Sequence, residues 1–377
     1  MRNMQHRKLG RTGLEVSALG FGSMRLPMNE GQVDVESALK VLNKAFDLGI
    51  NLVDTAVGYC NQQSEMTVGK ALKGRREGIV LSTKNPYKGT SGAEWRALLD
   101  QSLRRLDVKW IDLYNFHGLT LEQYTNWLGN PNSPIEEARK AKEEGLVRFL
   151  GLSCHDNPQN MMKLMDTGLF SSIILQYNIL DRINEDAMAY ANAKGLGVIV
   201  MGPVGGGRLA APSEVIRQMI PGKVKGTAEL ALRFVLSNPN ISSALSGMST
   251  LDMVTENART ASLLEPLSEE ERRRMNEALE EKKRLAELFC TGCGYCMPCP
   301  NGVDIPANFE LMNYYRVYGL VDYAKGGYRE LGERVKEGAK VPAWAAACKE
   351  CNECEPKCPR GLKIREQLKE THKTLST

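Results

Sequence analysis

What is scarce in this 377-residue chain narrows its reading first. No run approaches the roughly 18 apolar residues that a spanning helix needs, and the most apolar stretch, 195–207, is broken by six glycines. A membrane span is not expected. The opening residues Met1 to Lys8 hold no apolar stretch of the kind a secretory signal carries, so the chain is expected to be cytoplasmic. Charge of one sign is also scarce: 49 Lys and Arg stand against 45 Asp and Glu, a net +4 that offers no dedicated surface for nucleic acid or anionic lipid. The remaining composition, 42% apolar and 25% charged, is that of ordinary globular chains, and the length suggests one large domain plus a smaller one. Cysteine is nearly absent from residues 1–289, where only Cys60 and Cys154 occur, yet eight more crowd into the last 88 residues. In a reducing compartment such thiols hold metal more often than they form disulfides.

Short apolar runs recur along the first 250 residues, each followed by a segment of helical periodicity. Eight strands are expected, ending near Phe21, Asp54, Lys84, His117, Ser153, Asn178, Pro203 and Gly247. Helical stripes run through Asp34 to Leu48, Trp95 to Leu106, Ala138 to Glu144, Asn184 to Ala193 and Ala228 to Leu236. Near-continuous apolar strands alternating with amphipathic helices make a parallel sheet covered on both faces. Eight such units in this length match an α/β fold of the (β/α)8 TIM-barrel type. An open doubly wound sheet would want a Gly-rich dinucleotide fingerprint after a strand, and none follows one here.

In a barrel of this kind the C-terminal strand ends carry the chemistry. Asp54 closes the second strand, Tyr59 follows in its loop, Lys84 closes the third strand and His117 the fourth. A lone His or Asp at a strand end is ordinarily a packing or capping residue. Four polar residues facing one mouth are a different matter. The segments Asn51-Leu52-Val53-Asp54-Thr55-Ala56-Val57-Gly58-Tyr59, Leu81-Ser82-Thr83-Lys84 and Asp112-Leu113-Tyr114-Asn115-Phe116-His117 resemble those of the aldo-keto reductases. So does the opening run from Arg7 to Leu14 with Leu19-Gly20-Phe21-Gly22.

The resemblance covers about residues 7 to 265 and implies catalytic roles for Asp54, Tyr59, Lys84 and His117 in carbonyl reduction. Tyr59 would be the proton donor, with Lys84 lowering its pKa, Asp54 holding that lysine charged, and His117 orienting the carbonyl oxygen. For the cofactor it implies Ser153 and Gln176 at the nicotinamide carboxamide, with Tyr177 beside them. Gly202, Pro203, Gly205, Gly207 and Leu209 would lie in the loop across the pyrophosphate, and Gly247, Ser249, Glu256 and Asn257 at the adenosine end. Two positions depart from the family pattern. Cys154 stands where Asn is common, and Met253 stands where many NADP-using members have Arg, which leaves NADP(H) and NAD(H) both open. Cys60, and Cys154 with His155, read most simply as packing thiols and a loop imidazole.

Ser268 and Glu271 form a capping-box signature for a charged helix from Glu269 to about Phe289. Two cysteine blocks follow. The second, Cys348-x-x-Cys351-x-x-Cys354-x-x-x-Cys358-Pro359, has the spacing of bacterial ferredoxins. The first, Cys290-x-x-Cys293-x-x-Cys296-x-x-Cys299-Pro300, is one residue shorter before its last Cys. Three close thiolates grip three corners of a cubane, while the fourth ligates the other cluster. The expected sets are therefore Cys290, Cys293, Cys296 and Cys358 around one [4Fe-4S] cluster, and Cys348, Cys351, Cys354 and Cys299 around the other. Closed tetrahedral zinc sites are the alternative, although zinc modules usually separate their Cys pairs by a longer spacer. Asn308 to Val317 and Tyr328 to Lys336 read as helices, so the tail resembles the two-cluster ferredoxin modules of respiratory reductases.

The expected organisation is a barrel over 1–267, a linker helix over 268–289 and a small helical ferredoxin-like iron-sulfur domain over 290–377. The function expected is an iron-sulfur oxidoreductase acting on a small carbonyl-type substrate, served by a ferredoxin or another redox protein. Clusters pass single electrons whereas nicotinamide passes a hydride, so a flavin between them is a further cofactor option. Two other readings stay open: a redox-sensing or electron-transfer protein whose barrel binds a nicotinamide or flavin without turnover, and an enzyme whose clusters only brace the fold. Trp127, His155 and the ferredoxin-like domain are the expected pocket wall.

Overall fold

The computed structural model describes residues 4–205, 209, 226–263, 267–285, 294, 296–336, 339–358 and 361–377. They fall into two compact units, one holding residues up to 205 with 231–267, the other holding 268–377 with a few residues before 231.

The first unit is a closed barrel of eight parallel strands. In chain order these are β1 (Leu19–Gly22), β2 (Leu52–Asp54), β3 (Val80–Asn85), β4 (Ile111–His117), β5 (Val147–Ser153), β6 (Ser172–Gln176), β7 (Gly197–Met201) and β8 (Ser243–Ser246). Each pairs with the next, and β8 pairs with β1 to close the ring. All eight end within two residues of the positions the apolar runs suggest. A short antiparallel ribbon, His6–Lys8 with Glu15–Ser17, precedes the barrel. Its Leu9 and Val16 share one apolar cluster with Leu52, Val80, Leu113, Ile174, Ile199 and Leu245 from six different strands. Burial of that cluster, at about 25 cal/mol per Å², is what holds the ring shut at this level.

The helices begin where polar caps allow. Asp34 caps α1 (Val35–Asp47), accepting from Ser37 N at 3.1 Å, so it stands outside the helix it was expected to begin. Ser91 caps α3 (Gly92–Leu106) and Ser133 caps α5 (Pro134–Glu143), and both helices start earlier than their apolar stripes. Their first turns are set by the caps, Ser91 accepting from Glu94 N and Ser133 from Glu136 N, ahead of the stripe that marks each helix in the sequence. Between these lie α2 (Ser64–Ala71) and α4 (Leu121–Trp127), and α6 (Pro158–Met165), α7 (Glu185–Ala193), α8 (Thr227–Leu236) and α9 (Leu251–Ser262) follow.

Inside the ring, Gly151 of β5 leaves room for Asn115 of β4. A Cβ there would overlap Asn115 Oδ1 and stand 3.0 Å from Ser172 Oγ. Asn115 Nδ2 in turn donates to Ser82 Oγ (3.0 Å) and Thr83 O (3.0 Å). Gly151→Ala is expected to cost about 2 kcal/mol, since overpacking a closed core runs to 1–3 kcal/mol. Urea denaturation would register it as a lower midpoint, whereas a wild-type midpoint would show that the ring yields there.

In the second unit, Ser268 and Glu271 form the expected reciprocal cap at the start of α10 (Glu269–Leu285): Ser268 N donates to Glu271 Oε2 at 2.8 Å and Glu271 N to Ser268 Oγ at 3.2 Å. Residues 286–290, the expected end of that helix, lie outside the described residues. Three further helices follow, α11 (Ile305–Arg316), α12 (Val321–Gly332) and α13 (Ile364–Leu375). Phe309, Met312, Tyr328 and Leu368 are buried among them. The helix expected over Tyr328 to Lys336 is displaced: α12 ends at Gly332, and Val335–Lys336 pairs with Ala339–Lys340 as a small ribbon. Gly326 and Gly327 weaken the helical signal of its true first half. Gly327 is there for packing, because a Cβ would come within 2.6 Å of Leu311 Cδ2 on α11.

Candidate active site

Register brings the expected residues to one end of the barrel. Asp54 is paired with Ser82, Lys84 with Asn115, and His117 with Ser153. Asp54 and Lys84 are almost wholly buried, at 3% and 1% exposure. A buried ammonium is tolerable only if paired and hydrogen-bonded. Lys84 Nζ donates to Asp54 Oδ2 in a short ion pair and to Thr55 O at 2.9 Å. Ser82 Oγ donates to the other carboxylate oxygen, Oδ1, at 2.7 Å. Asn115 holds Ser82 in turn, so the chain Asn115–Ser82–Asp54–Lys84 fixes the ammonium from below.

Above it stands Tyr59. The Lys84 nitrogen lies 4.7 Å from the centre of the Tyr59 ring, and that ring meets the His117 imidazole edge-on, with centroids 6.3 Å apart and planes at 89°. The loop carrying Tyr59 then turns through three consecutive non-glycine residues with left-handed backbone, Cys60, Asn61 and Gln62, at φ of 49°, 52° and 66°. Each such residue costs about 1–2 kcal/mol. The turn is held by Cys60 Sγ donating to Ser23 O (3.4 Å), Asn61 Nδ2 to Gly31 O (2.9 Å) and Val33 N to Gln63 Oε1 (3.0 Å). Strain maintained by surrounding contacts is typical of a functional loop.

The electrostatics depart from expectation in one respect. Burial pushes the Tyr59 phenol above its ordinary value and outweighs the nearby Lys84, which acts in the lowering direction. The expected net lowering is therefore not what the free pocket shows: desolvation of the phenolate wins over one cation that Asp54 already half neutralises. Burial likewise works against the Lys84 charge, but Asp54 and Tyr59 together hold its pKa above the ordinary lysine value. His117 is lowered to about 4 by burial first, then by Lys84, Lys88 and His155. It is a neutral imidazole at physiological pH.

Of the residues expected at the cofactor, Ser153 and Gln176 stand at the C-terminal ends of their strands, β5 and β6, and Ser153 is buried. The Gln176 amide lies against Gly202, where a Cβ would come within 2.6 Å of Oε1, so only glycine fits. Gly202 also has a left-handed φ of 65°, and Gly205 N returns to Gly202 O at 2.9 Å, making Gly202, Pro203, Val204 and Gly205 a tight turn. Gly207 lies outside the described residues, while Leu209 is buried. Asn257 Nδ2 on α9 donates to Ser246 Oγ (3.2 Å) beside Gly247, Ser249 Oγ contacts Met253 Sδ at 3.6 Å, and Glu256 is exposed. Tyr177 is fully buried, stacked on Phe234 at 5.4 Å with its hydroxyl on Glu185 (2.7 Å), so its ring is committed to the barrel wall.

Trp127, expected in the pocket wall, is buried beside Phe116, with Nε1 donating to Gly89 O at 2.8 Å. Cys154 is likewise buried, its thiol donating to Leu119 O (3.2 Å) and pushed up to about 11, mainly by burial. It packs, while His155 beside it is exposed. Sequence reading missed Arg25, whose stem passes 3.3 Å from a Cβ placed on Gly247, and Lys88, which reaches the end of β4. Neither follows from strand-end position, because Arg25 ends a short 3-10 turn after β1 and Lys88 stands on a loop, and the course of both is set by packing.

In the second unit, Cys296, Cys299, Cys348, Cys351 and Cys354 line one cavity. Cys354 lies close enough to Cys348 and Cys299 to feel both charges. Glu350 and Asn352, between the cysteines, have left-handed φ of 57° and 63°, and Glu350 N donates to Cys348 Sγ at 3.4 Å. Asn301 Nδ2 donates to Cys351 Sγ at 3.7 Å. Such N–H groups aimed at sulfur suit thiolates. Among the described residues no three His, Cys, Asp or Glu groups form a single-ion site. Cys290 and Cys293 lie outside the described residues.

An eight-stranded barrel with a buried Asp–Lys pair, a tyrosine and a neutral histidine at its mouth is the arrangement of an oxidoreductase, here joined to an iron-sulfur module. The chain belongs to the aldo/keto reductase family, whose model matches residues 18–280, and a 4Fe-4S dicluster domain matches residues 289–364. It is 30% identical over 301 residues to the uncharacterized oxidoreductase YqkF of Bacillus subtilis, covering 71% of this chain and 94% of that one. It is 32% identical over 296 residues to L-galactose dehydrogenase of Arabidopsis thaliana, covering 71% and 91%. The holo form of aldo-keto reductase AKR11C1 from Bacillus halodurans superposes with a TM-score of 0.64 at 33% identity, over 73% of this chain and 96% of that one. Among the described residues no helix is long and apolar enough to cross a membrane.

Proposed function

We propose that the protein reduces a small carbonyl compound with a nicotinamide cofactor and exchanges single electrons through two [4Fe-4S] clusters. The observation that carries the reading is the buried Lys84 ammonium, fixed by Asp54 and Thr55, beside the Tyr59 ring. When bound, nicotinamide supplies a hydride to the carbonyl carbon, and the clusters supply one electron at a time. The chain's residues do the rest. Tyr59 gives its phenolic proton to the oxygen as negative charge develops there, and the alkoxide is a far stronger base than a phenolate, so even a raised phenol pKa leaves the transfer downhill. Lys84 stabilises the phenolate left behind, and Asp54 keeps Lys84 charged and still. Neutral His117 donates a hydrogen bond to the same oxygen without competing for the proton.

Ser153 and Gln176 would hold the carboxamide, the turn at Gly202 to Gly205 would lie along the pyrophosphate, and Gly247, Ser249, Glu256 and Asn257 would hold the adenosine end. Cys299, Cys348, Cys351 and Cys354 would hold one cluster, and Cys290, Cys293, Cys296 and Cys358 the other. Several cysteines lining one cavity without forming a single-ion site among the described residues suit a cubane, which takes one thiolate per corner, better than a single zinc ion.

Anaerobically purified protein, given an aldehyde panel and NADPH or NADH, should form one alcohol per nicotinamide oxidised. Its kcat/KM should stay flat from about pH 5 to 9. The acid limb belongs to His117, which protonates only near pH 4, and the alkaline limb to Tyr59, which ionises above the ordinary phenol value of about 10. Because the His117 pKa is depressed on folding, the stability linked to it is present above the ordinary 6.5 and is lost as pH falls towards 4. An acid limb at pH 6 to 7 that disappears in His117→Ala would assign a charged imidazole and overturn this part of the reading.

A further inference from the structure

Lys88 is the charge at the mouth that the reduction does not use. Its loop, between β3 and α3, is braced: Tyr87 N donates to Asn85 Oδ1 (3.0 Å), Ser91 N to Tyr87 Oη (3.1 Å) and Trp127 Nε1 to Gly89 O (2.8 Å). From that loop the side chain reaches across to the end of β4, where Nζ donates to His117 O and, at 2.8 Å, to Gly118 O. Two of the three ammonium donors are thereby taken by neutral carbonyls, and one remains.

No acidic side chain among the described residues forms an ion pair with it. The carboxylate on that side, Asp156, is committed to Leu121 N (3.1 Å), Asn157 N (2.8 Å) and Asn160 Nδ2 (3.0 Å). Lys84 and Asp54 cancel each other. The two imidazoles that feel Lys88, His117 and His155, are both held below their ordinary pKa and so are neutral near pH 7. Lys88 is therefore a cation with no ion-pair partner among the described residues, held against the backbone of the histidine that faces the carbonyl oxygen.

We propose that the substrate is a carbonyl compound bearing an oxyanion, a carboxylate or a phosphate, and that Lys88 binds that group while the carbonyl lies against Tyr59 and His117. The proposal rests on the carbonyl-reducing reading and names its substrate class. An anion takes the free donor and meets a held cation instead of a bare surface lysine, because the backbone carbonyls already fix Nζ. A neutral carbonyl gains nothing from it.

The test uses matched pairs with the full-length holoprotein: 4-oxobutanoate against butanal, and glyceraldehyde 3-phosphate against glyceraldehyde. Each pair differs in the charged group, and the two pairs separate carboxylate from phosphate. The wild type should favour the anionic member of at least one pair, chiefly through KM, with the preference shrinking as salt is raised. Lys88→Met should lower the anionic-to-neutral ratio of kcat/KM about tenfold or more, and Lys88→Arg should restore most of it. A ratio unchanged in Lys88→Met, with both members still reduced, overturns the substrate class and leaves carbonyl reduction standing. No turnover of any of the four by wild-type protein that binds nicotinamide overturns the carbonyl-reducing reading itself.

Discussion

Tyr59→Phe is expected to lower kcat for carbonyl reduction by about 10²- to 10⁴-fold, the range a positioned general acid contributes, while the dissociation constant for nicotinamide changes by less than about twofold. Removing one hydroxyl leaves the ring where it is, edge-on to His117 and beside Lys84, so the loop with its three left-handed residues has no reason to rearrange. What disappears is the phenolic proton whose departure would leave an anion beside the Lys84 ammonium. Steady-state rates together with cofactor fluorescence titration check both halves. A variant that keeps more than a tenth of the wild-type kcat would move the proton donor elsewhere, with His117 the next group to replace.

The second large effect concerns the thiols. Cys299→Ala is expected to cut iron from about eight to about four atoms per chain and to remove one of the two cubane signals in the reduced protein. Cys299 belongs by sequence to the first cysteine block, yet with Cys296 it lines the cavity of Cys348, Cys351 and Cys354, and it lies close enough to Cys354 to act on that thiol. The effect should therefore match that of Cys351→Ala and differ from that of Cys358→Ala, whose thiol is not among those lining that cavity. Iron and sulfide analysis with low-temperature EPR decides it. If Cys299→Ala retains eight irons, the exchange of fourth ligands between the blocks is wrong; circular dichroism on the same samples separates cluster loss from unfolding of the surrounding helices.

Much of this was legible in one dimension because a parallel barrel repeats its pattern. Buried strands read as apolar runs, and their ends are where function is placed, so Asp54, Lys84 and His117 stood out by position before any coordinates. Caps were harder to see. Ser91 and Ser133 start their helices a turn or so before the sequence stripe becomes visible, and Gly326-Gly327 hid the first half of a helix whose glycine exists to admit Leu311. Trp127 looked like a pocket wall because a tryptophan after an active-site strand can line one, whereas its indole N–H found a loop carbonyl and its ring found Phe116.

The sequence by itself determined the barrel, the four residues at its mouth and the two cysteine blocks, because periodicity, strand-end position and ligand spacing are local properties of the chain. The tertiary structure alone decided the sense of the charges. Burial raised the Tyr59 phenol that a neighbouring lysine was expected to lower and made His117 neutral, while packing set Lys88 against two backbone carbonyls with no ion-pair partner among the described residues. These outcomes depend on how much water each group loses and which partners surround it in space, and neither quantity is written in the order of the residues.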